Sequence, residues 1–170
     1  MAIKFIGALL IVVSCGVMGY QTSFSYLREI SYFKDLIWIL DFMQRQLQCH
    51  LTPLPLLCRL VYKENKCKIS EAFLNLADIL DSQTSNSVLD SMNMAIEMVG
   101  IQPDRVKNVL LKIGKILGKF DIDGQIKGIE TVKEECIAIL KSLSEHQRER
   151  SRSIKTIGIC AGVAIAILLI

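Results

Sequence analysis

The chain has 170 residues, with 51% apolar side chains and a formal charge of only +3. That is one domain's worth of sequence, and so slight a surplus of charge argues for no particular partner until its distribution is known. A mean hydropathy of +0.39 is high for a soluble domain and low for a polytopic membrane protein, so the apolar excess should sit in discrete segments.

It sits at the two ends. No residue from 5 to 27 is charged, and the densest stretch begins Phe5-Ile6-Gly7-Ala8-Leu9-Leu10. A helix of about 20 such residues crosses a bilayer's hydrocarbon core. The segment 1–24 therefore reads as a first anchor, with Lys4 reaching back to the headgroups. The segment 154–170 reads as a second. Only 15 residues follow Lys155, the last charge. At about 1.5 Å each they reach about 22 Å, short of the core's ~30 Å, so snorkelling by Lys155 or local thinning has to close the gap.

The flanking charges orient the pair. Arg28 and Lys34 follow the first segment, and Arg148, Arg150, Arg152 and Lys155 precede the second. The positive-inside rule places residues 25–153 in the cytoplasm and both termini across the membrane. A rival reading takes Val12-Val13-Ser14-Cys15 as a lipoprotein cleavage site. The product would be a secreted binding module with lipid on Cys15, and the arginine-rich segment would then lie on the wrong side of the second anchor.

Between the anchors the pattern is helical throughout. Residues 25–49 form one amphipathic helix, with Ile30, Phe33, Ile37, Leu40, Met43 and Leu47 inward. Leu51-Thr52-Pro53-Leu54-Pro55 ends it, and the Thr52 side chain is the expected N-cap of a short helix reaching about residue 62. Lys63-Glu64-Asn65-Lys66 is a polar turn.

Ser70 is the expected cap of a helix over 71–81, which carries Phe73, Leu76, Ala77 and Leu80 on one face. After a polar loop over 82–87, Met92, Ala95, Ile96 and Val99 mark a fourth helix, stopped by Gly100. Pro103 opens a fifth, with Val106, Val109, Leu110, Ile113, Leu117 and Phe120 inward. The turn at 121–123 has helix-capping chemistry. The last helix carries Ile126, Ile129, Val132, Cys136, Leu140 and Leu143, and from Ser144 to Ser153 no hydrophobe follows. Six such helices with short links predict an all-α antiparallel bundle, in which the two long end helices pair.

Catalytic and metal chemistry find little footing. The six cysteines, Cys15, Cys49, Cys58, Cys67, Cys136 and Cys160, form no C-x-x-C. Spacings of nine residues turn Cys49, Cys58 and Cys67 to opposite sides of a helix. Cys49 beside His50 leaves zinc binding or an enzyme's thiol–imidazole pair as lesser alternatives, against which metal sites need convergent ligands and neighbours on a helix diverge by about 100°. The bland reading of the cysteines is small buried hydrophobes. No phosphate-binding glycine loop appears. The chain is read as no enzyme, with no cofactor and no metal.

The first apolar segment, the Leu51-Thr52-Pro53-Leu54-Pro55 turn, the Leu117-Gly118-x-x-Asp121-x-x-x-Gln125 region and the terminal apolar helix occur here in that order. Together, and over the whole chain, they resemble the stage III sporulation protein AB family of endospore-forming bacteria. The resemblance implies a place in the mother-cell membrane facing the forespore, within a channel-like complex related to secretion systems. It implies a helical domain similar to the cytoplasmic domain of the type II secretion inner-membrane platform protein. It also implies a secretion-type ATPase, stage III sporulation protein AA, as cytoplasmic partner, beside other membrane subunits of the complex. The family has no known catalytic residues. Members often carry an acidic residue and alanine after T-P-L-P, where this chain has Leu56-Leu57.

Several surfaces are candidates for such partners. Thr52, Pro53 and Pro55 form a docking corner, or merely stop one helix and start the next. Lys112, Lys115 and Lys119 share a face of the fifth helix. They make a basic strip for an acidic partner or anionic headgroups, or an ordinary solvated face, and no aromatic residues interleave with them as nucleic-acid binding would require. Gln125 lies outside the simple needs of the Gly118–Asp121 turn and suits a specific contact. Arg148, Arg152 and Lys155 suit the membrane surface. Gly158 and Gly162 suit close packing of a transmembrane helix, against the first anchor, another subunit or a second copy in a homo-oligomer.

Overall fold

A computed structural model describes residues 27–49, 52–83, 87–118 and 121–169, from residue 146 onward as backbone alone. Among the described residues there are six helices and no strand. We label them α1 (27–49), α2 (Leu54–Glu64), α3 (Lys68–Asp81), α4 (Val88–Val99), α5 (Asp104–Leu117) and α6 (Ile122–Leu169).

The chain divides into two compact units. One, Ser31–Leu140, is the helical bundle. In the other, Met1–Ile30 with Lys141–Ile170, the described residues are all helical. Among the described residues no helix is long and apolar enough to cross a membrane. The expected anchor at 1–24 lies outside the described residues. The segment 154–169 is helical backbone, and its side chains lie outside them too.

Within the bundle α2 packs on α3, α3 on α4 and α4 on α5. Side-chain contacts set the directions. Lys68, at the start of α3, reaches the carbonyl of Gly100 just past the end of α4. Glu97 near the end of α4 meets Lys107 near the start of α5, while a Cβ at Gly118 would touch Val88 at the other end of the pair. Lys112 bonds Glu135, and Leu117 bonds Gln125. In each pair one number rises as the other falls, so α3/α4, α4/α5 and α5/α6 are antiparallel. α1 joins α6 through Lys133, which reaches both Asp41 and Gln44.

The core is made by Phe33, Leu36, Ile39, Leu40 and Met43 of α1, Leu57 of α2, Phe73 and Leu76 of α3, Met92 and Ile96 of α4, Leu110 and Ile113 of α5, and Ile129 of α6, all buried. Each such burial contributes about 1.5–3 kcal/mol. α1 is buried more widely than a single stripe allows. Tyr32, Leu36 and Ile39 are inside, and Ile37 is only half-buried. Phe120, expected inward, lies outside the described residues.

Helix starts depart from expectation twice. Thr52 does not cap α2. Pro53 is the flanking residue, its carbonyl accepting from Leu57 N at 2.9 Å, and Pro55 sits where a missing N–H costs nothing. Ser70 is not the residue before α3 but its third. Cys67 is the cap. Its sulfur accepts from Ser70 N at 3.4 Å, while Ser70 Oγ accepts from Cys67 N at 2.9 Å. This is a capping box with sulfur in the place of a hydroxyl. The stop at Gly100 is as expected: φ of +64° is left-handed backbone, which glycine alone adopts without strain.

Candidate functional site

The proline corner is partly open. Pro53 is exposed, Thr52, Leu54 and Pro55 are half-buried, and the backbone of the corner is used to start α2. Leu56 stands 50% exposed while Leu57 is fully buried. Helical geometry turns consecutive residues about 100° apart, so one leucine of the pair builds the core and the other widens the apolar surface beside Pro53.

The lysine strip is uneven. Lys112 Nζ donates to both carboxylate oxygens of Glu135, at 2.6 and 2.8 Å, so its charge is matched across the α5/α6 seam. Lys115 is exposed. Lys119 lies outside the described residues. The strip that α5 offers outward is therefore centred on Lys115.

Gln125 is half-buried, and its Nε2 donates to the Leu117 carbonyl at 3.3 Å. Asp121 Oδ2 accepts from Gly124 N at 2.9 Å and caps the start of α6. Gln125 and Asp121 thus close the corner that Gly118 ends. The contact expected of Gln125 includes one within the chain. Arg148, Arg152, Lys155, Gly158 and Gly162 all fall on the helical backbone of α6, and their side chains lie outside the described ones.

The cysteines separate by environment. Cys58 and Cys136 are buried, as expected of small hydrophobes, whereas Cys49 is exposed and Cys67 half-buried in its capping role. Burial pushes the Cys58 thiol up to about 12, with Arg59 next door pulling weakly the other way. A thiol so firmly protonated is a poor nucleophile at neutral pH. His50 lies outside the described residues. Among the described residues no group of three His, Cys, Asp or Glu side chains is arranged to hold a metal ion.

Three features escaped the sequence reading. Arg59 of α2 bridges Asp78 at 2.8 Å and Asp81 at 2.7 Å, fastening the α2/α3 pair. Trp38 and Phe42 stack on α1 with ring centroids 5.4 Å apart, and Trp38 is exposed. Met94 and Met98, four residues apart on α4, point outward at 45% and 70% exposure. The i, i+4 spacing of both pairs was in the sequence, but their outward direction is visible only once the inner face of each helix is known. Burial also raises the Asp35 carboxyl above its ordinary range, one turn from Trp38.

No buried side-chain nitrogen or oxygen among the described residues lacks a hydrogen-bond partner. The arrangement can present surfaces: an apolar proline–leucine corner, an exposed lysine on α5 and methionines on α4. These are means of binding.

Among curated proteins nothing matches. A solved structure described as "Stage III sporulation protein AB (SpoIIIAB)" is similar, with a TM-score of 0.62 and 20% identity, covering 72% of this chain and 98% of that one. At that identity the likeness speaks for the fold. The family model described as "Stage III sporulation protein AB (spore_III_AB)" matches residues 4–170, nearly the full length, and the chain therefore belongs to the stage III sporulation protein AB family.

Proposed function

We propose that the chain is a membrane-anchored scaffold subunit of a secretion-like channel complex needed for endospore formation, linking a cytoplasmic secretion-type ATPase to the membrane subunits. The observation that carries this reading is the family match over residues 4–170, which takes in both uncharged ends as well as the bundle. Membership in a stage III sporulation family makes sporulation its setting.

In this reading lipid holds 1–24 and 154–170, in the mother-cell membrane facing the forespore, and the bundle stands in the cytoplasm. Arg148, Arg152 and Lys155 lie at the membrane surface, each worth about 1 kcal/mol near anionic headgroups. Gly158 and Gly162 allow a neighbouring transmembrane helix to approach. The chain works by binding and positioning. The corner of Thr52, Pro53 and Pro55, enlarged by exposed Leu56, supplies an apolar docking contact, and Lys115 on α5 supplies a separate charged one. Apolar anchors with a polar surround are what a specific interface requires.

The test is a scan with a photo-crosslinking amino acid through 107–127 and around Thr52, read against the ATPase in sporulating cells. Crosslinks clustered at Pro53, Leu56 and Lys115 are expected. A scan in which no position in either region captures the ATPase contradicts the linking role.

A further inference from the structure

The outer face of the α4–α5 pair carries opposite charges on its two helices. On α4, Asp90, Met94, Glu97 and Met98 are exposed and share a face. On α5, Asn108 and Lys115 are exposed and Leu111 is half-buried. The exposure of Asp90, Met94, Glu97, Met98, Asn108 and Lys115 leaves them open to a partner, and α5 meets α6 through Lys112.

The levels along the pair follow from its contacts. A Cβ at Gly118 would lie 3.5 Å from Val88, one at Gly114 would lie 2.8 Å from Met92, and Lys107 meets Glu97 at 3.9 Å. In an antiparallel pair with that register Asp90 stands level with Lys115, Met94 with Leu111, and Glu97 with residues 107 and 108.

We propose that this face binds a second copy of the chain, with α4 of each copy lying against α5 of the other. A two-fold contact is self-complementary by symmetry, so one patch has to satisfy itself. Two orientations bring the faces together. With the axis parallel to the helices, Asp90 of each copy meets Lys115 of the other, and Met94 meets the other copy's Leu111. With the axis across the helices, α4 meets α4 and Asp90 faces the other copy's Glu97, like against like. Opposite charges at matching levels select the first orientation and exclude the second. The methionines suit the centre of such a contact because their flexible thioether chains repack against an apolar neighbour.

The face is small. α4 is 12 residues long, about 18 Å, and two helices are about 20 Å wide, which gives about 360 Å² per copy. Stable complexes bury about 800 Å² per partner, so the contact is weak in dilute solution and forms where local concentration is high. It requires neither the ATPase nor any other subunit to form, but it uses Lys115, which the reading of function above also gives to the ATPase, so the two contacts exclude one another at that residue.

The test uses the full-length chain, co-expressed as two differently tagged copies in whole cells and treated with a short membrane-permeant bis-maleimide. One copy carries Asp90→Cys and the other Lys115→Cys, both at exposed positions. Crosslinked heterodimer well above that of two unsubstituted copies, which sets the background from the native cysteines, is the expected result. Asp90→Cys with Glu97→Cys should stay at background. In an otherwise unsubstituted pair of copies carrying a photo-crosslinker at Met94, Lys115→Glu in both copies should lower the dimer yield about tenfold, and Asp90→Lys added to the same chains should restore it. Background yield for the 90/115 pair, equal or greater yield for the 90/97 pair, or capture of a different polypeptide in place of the second copy would each overturn the proposal.

Discussion

The Lys133 ammonium donates to the Gln44 side-chain oxygen at 3.0 Å, tying α6 to α1 across 89 residues of sequence. Asp41, one turn earlier on α1, lies 3.4 Å from the same nitrogen and also pairs with Arg45. The Lys133 side chain is only 19% exposed and Gln44 is half-buried, so removing the ammonium leaves the Gln44 oxygen partly shielded from water. Lys133→Met keeps the aliphatic stem and should cost about 1 kcal/mol. Lys133→Ala also gives up the stem's packing and should cost about 2 kcal/mol. Denaturant unfolding of the full-length protein in detergent, followed by circular dichroism, checks both. Equal losses would show that the stem contributes nothing.

Two glycines of α5 and its end should respond with opposite signs. A helical Gly→Ala change ordinarily stabilises by up to about 1 kcal/mol. At Gly118, with φ of −75° and its nearest neighbours at 3.5 Å, alanine fits and that gain is expected. At Gly114 the new methyl group would lie 2.8 Å from Met92 Cβ and 3.6 Å from Leu89 Cα. Atoms so close to the backbone yield only if α4 moves, and Gly114→Ala should cost about 1–3 kcal/mol. The same unfolding measurement decides it.

The sulfur cap of α3 should be improvable. Cys67 Sγ accepts from Ser70 N at 3.4 Å, and a hydroxyl oxygen is the stronger acceptor. Cys67→Ser should stabilise by up to about 1 kcal/mol. Ser70→Ala should cost about 1–2 kcal/mol, because the buried Ser70 Oγ both accepts from Cys67 N and donates to Cys67 O at 2.8 Å.

The buried Cys58 thiol makes the fold alkali-sensitive. Its value rises from 9.0 in the unfolded chain to about 12 in the folded one, so between those limits the folded state holds the proton and the unfolded state releases it. Stability is full below about pH 9 and falls as pH rises toward 12, by up to about 1.4 kcal/mol per pH unit from this group. Cys58→Ala should make the fall between pH 9 and 11 shallower by that amount, whatever its constant cost at neutral pH. Burial also separates the thiols chemically: a maleimide at pH 7.5 should label Cys49, which is exposed, and leave buried Cys58 unmodified in the folded protein.

What the sequence made legible follows from how locally each feature is determined. The helix over 27–49, the stop at Gly100 and the inward set of α5 were readable because periodicity and backbone preference act over a few residues. The cap at Cys67 was not, since cysteine is not among the usual capping residues and only the reciprocal bond with Ser70 reveals it. Thr52 looked like a cap by side-chain type, yet Pro53 accepts the first bond of α2, a backbone property. For the surfaces the limit was distance along the chain. That Lys112 shares a face with Lys115 is local, but that Glu135 neutralises Lys112 joins residues 23 apart. Met94 and Met98 were passed over because a search for the inner face of α4 discards whatever points outward.

The proposed role depends on lipid holding both ends of the chain. Alkaline carbonate extraction of membranes from sporulating cells tests this most directly. The protein should stay in the pellet through carbonate and high salt and leave it only with detergent. Recovery in the carbonate supernatant would contradict it.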